Sequence, residues 1–141
     1  MCAEGRPEDN GFGVRVFAGR FGDAYLQRAD VGQEGYTIVI WRGRHVAEAT
    51  ELSLDEASGY FAEVLRVARA IERYYRPIKL NLEMLGNSLP HLHTHVVPRY
   101  PGDGSPGHPA LFIRQDGDAT RKLPEELVAR DAAALRKLFT I

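Results

Sequence analysis

The sequence predicts an α+β domain: a mostly antiparallel five-stranded sheet with one long helix packed on it and a C-terminal helical extension. Three observations carry this expectation. Short runs of alternating apolar residues fall on both sides of one long amphipathic stretch, so the order reads β-β-β-α-β-β. Several of the links between strands are short, which favours antiparallel neighbours over crossovers. A second amphipathic run closes the chain, after a segment rich in Pro and Gly.

Residues 1–11 are polar and read as an irregular lead-in. Phe12, Val14 and Val16 are in phase and predict a first strand over 12–18, with Gly19 and Gly22-Asp23 supplying a hairpin turn. The return strand spans 24–28. After a second turn over 30–35, Tyr36 to Trp41 is β-branched and aromatic and suits a central strand. Ser53 with Glu56 three residues later forms a capping box. Ala57, Tyr60, Phe61, Val64, Leu65, Ala68 and Ile71 then make one apolar stripe, and Pro77 stops the helix near Tyr75. Residues 80–84 resume alternation as a fourth strand, Gly86-Asn87 turns the chain, and His91 to Arg99 is the fifth. The core thus covers about 12–100 of a single domain over 1–141. The rest is a Pro/Gly loop from Pro101 to Pro109, a short edge strand at 110–113, and a helix from Pro124 to Leu138 with Leu127, Val128, Leu135 and Leu138 on one side.

Composition narrows the function classes. The 141 residues carry 18 basic and 19 acidic side chains, and a formal net charge of −1 gives no general reason to invoke nucleic acid or a membrane surface. One cysteine, Cys2, rules out an intrachain disulfide and a multi-cysteine zinc cage. No apolar run suits a signal peptide or a membrane span, so a cytoplasmic location is expected.

Chemistry concentrates in the fifth strand. Three of the five histidines, His91, His93 and His95, occupy alternate positions and share one face of an extended segment, while Leu92, Thr94 and Val96 face the core. Three imidazoles on one face bury poorly without partners, which argues against a merely decorative polar surface. A metal site is a second reading. Alternate residues lie roughly 6.5–7 Å apart and His91 is about twice that from His95, so one ion could take at most two of them plus a remote group. The third reading is phosphoryl chemistry. A neutral imidazole nitrogen can attack phosphorus and form a covalent phosphoramidate, with neighbouring imidazoles and amides holding the oxygens. His93, flanked on both sides, is the favoured nucleophile. Asn87 and Ser88 in the preceding turn are placed to bind phosphate, and Arg99 adds positive charge.

The segment His91-Leu92-His93-Thr94-His95-Val96-Val97 resembles the signature of the histidine-triad family of nucleotide hydrolases and transferases, His-φ-His-φ-His-φ-φ with φ apolar. The flanking Leu85-Gly86-Asn87-Ser88-Leu89-Pro90 and Pro98-Arg99-Tyr100 are similar to bacterial members, and the order of elements agrees across about 12–100. The resemblance implies a two-step nucleotidyl transfer from a dinucleoside polyphosphate or related conjugate, to water in a hydrolase or to another acceptor in a nucleotidyltransferase; the competing expectation is a nucleotide-binding protein without turnover, which Tyr36 motivates. His93 would be the nucleophile, His95 the residue that assists the leaving group, and His91 the residue that orients His93. Asn87 and Ser88 would hold the phosphates. It also implies a homodimer, a nucleotide as partner, no required cofactor, and Mg²⁺ only as the nucleotide complex. Three departures stand out. Tyr36 follows Gly35 where many members have histidine. Arg28 aligns with a position that often binds ribose through an acid or amide. The Cys-x-x-Cys that holds a structural zinc in some members is absent, so no such zinc is expected. His45 is read as part of an exposed basic turn and His108 as surface.

Overall fold

The computed structural model describes residues 1–2, 4–104, 106–110, 112 and 121–140. The first three strands are β1 (Gly13–Ala18), β2 (Gly22–Gln27) and β3 (Thr37–Trp41), followed by a single 3₁₀ turn (Ala49–Glu51) and the helix α1 (Leu54–Tyr75). Then come β4 (Lys79–Glu83), β5 (His93–Arg99) and the helix α2 (Glu125–Phe139). The strands form one sheet in the order β1-β2-β3-β5-β4, with every adjacent pair antiparallel.

Local chemistry accounts for the boundaries. Ser53 accepts from the Glu56 amide while Glu56 accepts from the Ser53 amide, so both free donors at the start of α1 are satisfied. The helix ends at Tyr75 because Arg76 takes a left-handed conformation (φ 50°) just ahead of Pro77. The β1–β2 register shifts between Arg15 and Phe17, and this bulge turns Val16 and its neighbour Phe17 both into the core. Phe12, read as the first apolar position, is 73% exposed. Of the predicted α1 stripe, Phe61 and Leu65 lie outside the buried face, which Tyr60, Val64, Val67, Ala68 and Ile71 form.

Both helices pack on the same face of the sheet, where Val16, Leu26, Val39, Trp41 and Val96 meet Tyr60, Val64, Ile71, Val128 and Leu135. Two polar anchors cross this core. The Tyr60 hydroxyl donates to the Val39 carbonyl (3.0 Å) and lies 2.8 Å from Thr94 Oγ1, joining α1 to β3 and β5. Buried Asp131 of α2 accepts from the hydroxyls of Tyr74 (2.9 Å) and Tyr75 (2.8 Å) at the end of α1. Of the edge strand expected at 110–113, residues 111 and 113 lie outside the described residues, and neither Ala110 nor Phe112 is in a strand. Within that run, Ala110 is buried against Tyr36 and Val97.

The opposite face of the sheet is crossed by the N-terminal segment, irregular as expected yet fully engaged. Arg6 binds both oxygens of Asp23, Arg15 donates to the Arg6 carbonyl, and the Tyr25 hydroxyl donates to the Pro7 carbonyl. Asp23 is wholly buried because Arg42 meets it from the other side. A buried carboxylate this well paired anchors the segment, since losing either guanidinium would strand a charge away from water.

Candidate active site

The triad lies on that second face, at the centre of the sheet. β5 begins at His93, two residues later than the alternation predicts. His91 and Leu92 precede it in a bend, because β3 has ended by then. The Leu92 carbonyl still accepts from the Trp41 amide, but its amide donates to the Val46 carbonyl beyond the turn at Gly43. His93 and His95 remain on one face, with ring centroids 4.9 Å apart and rings nearly perpendicular at 66°. Thr94, between them, is buried on the helix side and held by Tyr60.

Backbone acceptors fix two of the three tautomers. His93 Nδ1 lies 2.6 Å from the His91 carbonyl oxygen. A carbonyl only accepts, so Nδ1 carries the proton and Nε2 of the neutral ring keeps its lone pair. His91 Nε2 likewise donates to the Trp41 carbonyl (2.8 Å), which leaves Nδ1 as its acceptor nitrogen. Burial lowers the pKa of His91 and, more strongly, that of His95, to about 4, with the neighbouring His93 adding to the shift of His95. His95 is therefore a neutral imidazole at pH 7. Its Nδ1 lies 2.8 Å from the Tyr36 hydroxyl, with the two rings almost parallel at 7°. The phenol thus occupies the contact that the departure at Gly35-Tyr36 put in question. Burial, with Glu83 adding, raises the pKa of Tyr36 and keeps it protonated.

Two cavities open nearby, one against His93 and one against Tyr36. One, of about 110 Å³, is lined by Ala47, Glu48, Leu85, Gly86 and His93. Asn87 and Ser88 follow Gly86 directly in the exposed bend before β5, so the turn expected to bind phosphate begins at the rim of the cavity that His93 lines. The other, of about 430 Å³, lies beside Tyr36 and is lined by Phe12, Arg28, Val31, Phe112 and Lys122. Arg28 therefore borders a cavity of the triad face, but its guanidinium is clamped by the carboxylates of Asp9 (2.6 and 2.8 Å) and Glu125 (3.0 and 3.1 Å).

Arg99 is not brought to the triad. It is 2% exposed, where a strand-ending arginine is commonly solvent-facing, and it binds Asp103, Asn81 and the His108 carbonyl. Six residues of strand separate it from His93, roughly 20 Å. Its visible task is to fasten the loop after β5 onto the sheet. His108 is exposed, as expected.

One cluster escapes sequence reasoning. Cys2 Sγ lies 3.0 Å from His91 Nδ1 and 3.2 Å from His45 Nδ1, and the three donor atoms fall within 4.8 Å of one another. The expectation of no structural zinc rested on the single cysteine, and no local spacing links residues 2, 45 and 91. The donor set nonetheless fits zinc: one sulfur and two imidazole nitrogens, with His91 already in the ligating tautomer, leave a tetrahedral ion one further position.

Comparison with known proteins gives a consistent set of likenesses. The HIT domain family matches residues 25–102. The chain is 39% identical over 83 residues to Protein hit of Bacillus subtilis, covering 53% of this chain and 57% of that one. It is 30% identical over 71 residues to bis(5'-adenosyl)-triphosphatase of Saccharomyces cerevisiae, covering 47% of this chain and 34% of the enzyme. The alignments thus take in about a half and a third of these relatives. A histidine triad protein of Sinorhizobium meliloti superposes with a TM-score of 0.77 at 23% identity, over 89% of each chain. No helix among the described residues is long and apolar enough to cross a membrane.

Proposed function

The chain belongs to the HIT domain family, whose members include nucleotide hydrolases, transferases and binding proteins, and we propose that it cleaves a nucleoside monophosphate from a dinucleoside polyphosphate or related conjugate through a covalent intermediate on His93. The observation that carries this reading is the bond from His93 Nδ1 to the His91 carbonyl, which leaves an Nε2 lone pair free beside the cavity bordered by Gly86. Attack forms the bond from Nε2 to phosphorus as the phosphoanhydride P–O bond breaks, and the polyphosphate leaves with the electron pair. The imidazolium so formed keeps its Nδ1 proton on the His91 carbonyl, whose electron density supports the positive charge. Water then attacks phosphorus, loses its proton to solvent, and restores neutral His93.

In this reading His91 positions His93 through its backbone, Asn87 and Ser88 bind nonbridging oxygens, and Mg²⁺ enters only as the nucleotide complex. Zinc, if bound, would sit on Cys2, His45 and His91 and tie the N-terminal segment to the triad. Phosphate or a sugar phosphate in place of water would make the same site a transferase. The partner included is a second copy of the chain. Among the described residues β4 leaves a sheet edge unpaired beside exposed Ile78, Leu82, Met84, Leu85 and Leu89. Two β4 strands paired antiparallel about Asn81 would set each Lys79 opposite a Glu83.

The test is incubation with diadenosine polyphosphates and with an adenosine phosphoramidate, following nucleoside monophosphate release. Turnover that disappears in His93→Ala is expected. A His93→Ala protein with full activity would remove His93 from this role, and failure of the wild type on both substrates would remove the hydrolase reading.

A further inference from the structure

We propose that Tyr36 makes His95 a hydrogen-bond donor that keeps its proton, and so selects phosphoanhydrides, whose leaving group departs as an anion, over phosphoramidates, whose amine must be protonated as it leaves. The use of that donor in catalysis rests on the nucleotidyl-transfer reading above. The protonation pattern of the pair does not.

The direction of the Tyr36–His95 bond follows from counting protons. A neutral His95 carries one N–H, and Nδ1 sits 2.8 Å from the phenol oxygen. If Nδ1 carried that proton, the phenol would have to accept, and its own O–H would need another acceptor in a buried site. Among the described residues the phenol has none: His95 is its one hydrogen-bond partner. Glu83 faces His95 across the β4–β5 pairing with its Oε2 buried without a partner, and among the described residues neither of its oxygens is hydrogen-bonded to the phenol. The phenol therefore donates to Nδ1, and the N–H of His95 is at Nε2. His93 has the reverse pattern, with Nδ1–H on the His91 carbonyl and a lone pair at Nε2. Two adjacent imidazoles, 4.9 Å apart, are thus held in opposite tautomers: one presents a nucleophile, the other a donor.

This arrangement limits what His95 can give. A neutral imidazole stabilises charge on a phosphoryl or leaving oxygen through its N–H, but it is a far weaker acid than an imidazolium. Replacing a surrendered proton would require Tyr36 to become phenolate beside the Glu83 carboxylate in a buried pocket packed against Phe112, which burial and charge both oppose. A polyphosphate leaves with the P–O electron pair and needs only a hydrogen bond. A P–N bond breaks readily only if the departing nitrogen takes up a proton, and the pair supplies none. An imidazole at position 36 can hold and pass a proton near neutral pH, which a phenol cannot.

Two measurements test this. The ¹⁵N resonances of His95 in the resting protein should report a neutral ring protonated at Nε2, and Tyr36→Phe should shift it toward a mixture of tautomers. A wild-type His95 protonated at Nδ1, or one unchanged in Tyr36→Phe, overturns the assignment whether or not any substrate turns over. For selectivity, the ratio of kcat/KM for a diadenosine polyphosphate over adenosine phosphoramidate should exceed about tenfold in the wild type and fall by at least about tenfold in Tyr36→His. A wild type that prefers the phosphoramidate, or a ratio unmoved by Tyr36→His, overturns the selectivity claim. Failure on both substrates would instead defeat the hydrolase reading and leave the resonances to decide the protonation.

Discussion

Removing the Tyr60 hydroxyl should cost more than removing the Thr94 hydroxyl it touches, and the cost should fall when both are gone. Both side chains are almost completely buried, at 0% and 1% exposure. The phenol donates to the Val39 carbonyl, so Thr94 is left to donate to the phenol oxygen. Tyr60→Phe therefore strands a buried Thr94 donor and takes a partner from Val39, a loss of about 1–3 kcal/mol. Thr94→Val leaves the phenol proton on Val39 and strands only an acceptor lone pair, a loss of less than about 1 kcal/mol. In the double variant no Thr94 donor is left unpaired, so it should be more stable than additivity predicts by roughly 1 kcal/mol. Urea denaturation of the four proteins at constant m value reads these differences, with midpoints falling by several degrees for Tyr60→Phe in thermal scans. Equal costs for the two single variants, or strict additivity, would refute the assignment of donor and acceptor. The same bond holds Thr94 between His93 and His95, so Tyr60→Phe should also slow turnover without abolishing substrate binding.

Protonation of His95 should appear in the pH dependence of stability. Its folded pKa of about 4 lies below the usual histidine value near 6.5, so between those pH values the unfolded chain binds more protons and stability falls as pH falls. Over that window the shift corresponds to at most about 3 kcal/mol, less after solvent screening, and His91 is shifted in the same direction. Denaturation curves from pH 7 to pH 4 should show this slope in the wild type and a shallower one in His95→Asn; equal slopes would contradict it. At the sheet edge, Leu82→Glu should convert the proposed dimer to a monomer by light scattering, and a dimer that persists would exclude β4 as its seam.

Much of the fold was legible because it follows from period. Alternation in Val14–Val16, Tyr36–Trp41 and 80–84, the capping box at Ser53 and the stop at Pro77 each act within a few residues, and those elements appear where the pattern puts them. His93 and His95 share a face for the same local reason. What period does not encode is which partner a residue meets across the sheet. Arg99 reads as a strand-end cation, yet Asp103 and Asn81 draw it inward. His91 reads as a strand residue on the face of His93 and His95, but the end of β3 at Trp41 turns it toward the Trp41 carbonyl and Cys2. The polar lead-in reads as loose until Asp23, Tyr25 and Arg42 supply its anchors. Phe61 and Leu65 fit an apolar stripe by spacing, but the second helix and the sheet cover only the side that carries Val64 and Val67.

The central claim is that His93 Nε2 becomes covalently bonded to phosphorus, and rapid mixing with a diadenosine polyphosphate followed by alkaline quench and intact mass measurement tests it most directly. The account predicts a transient species heavier by one adenylyl group, mapped by peptide analysis to His93 and absent in His93→Ala. Turnover with no such species, or an adduct on any other residue, would contradict it.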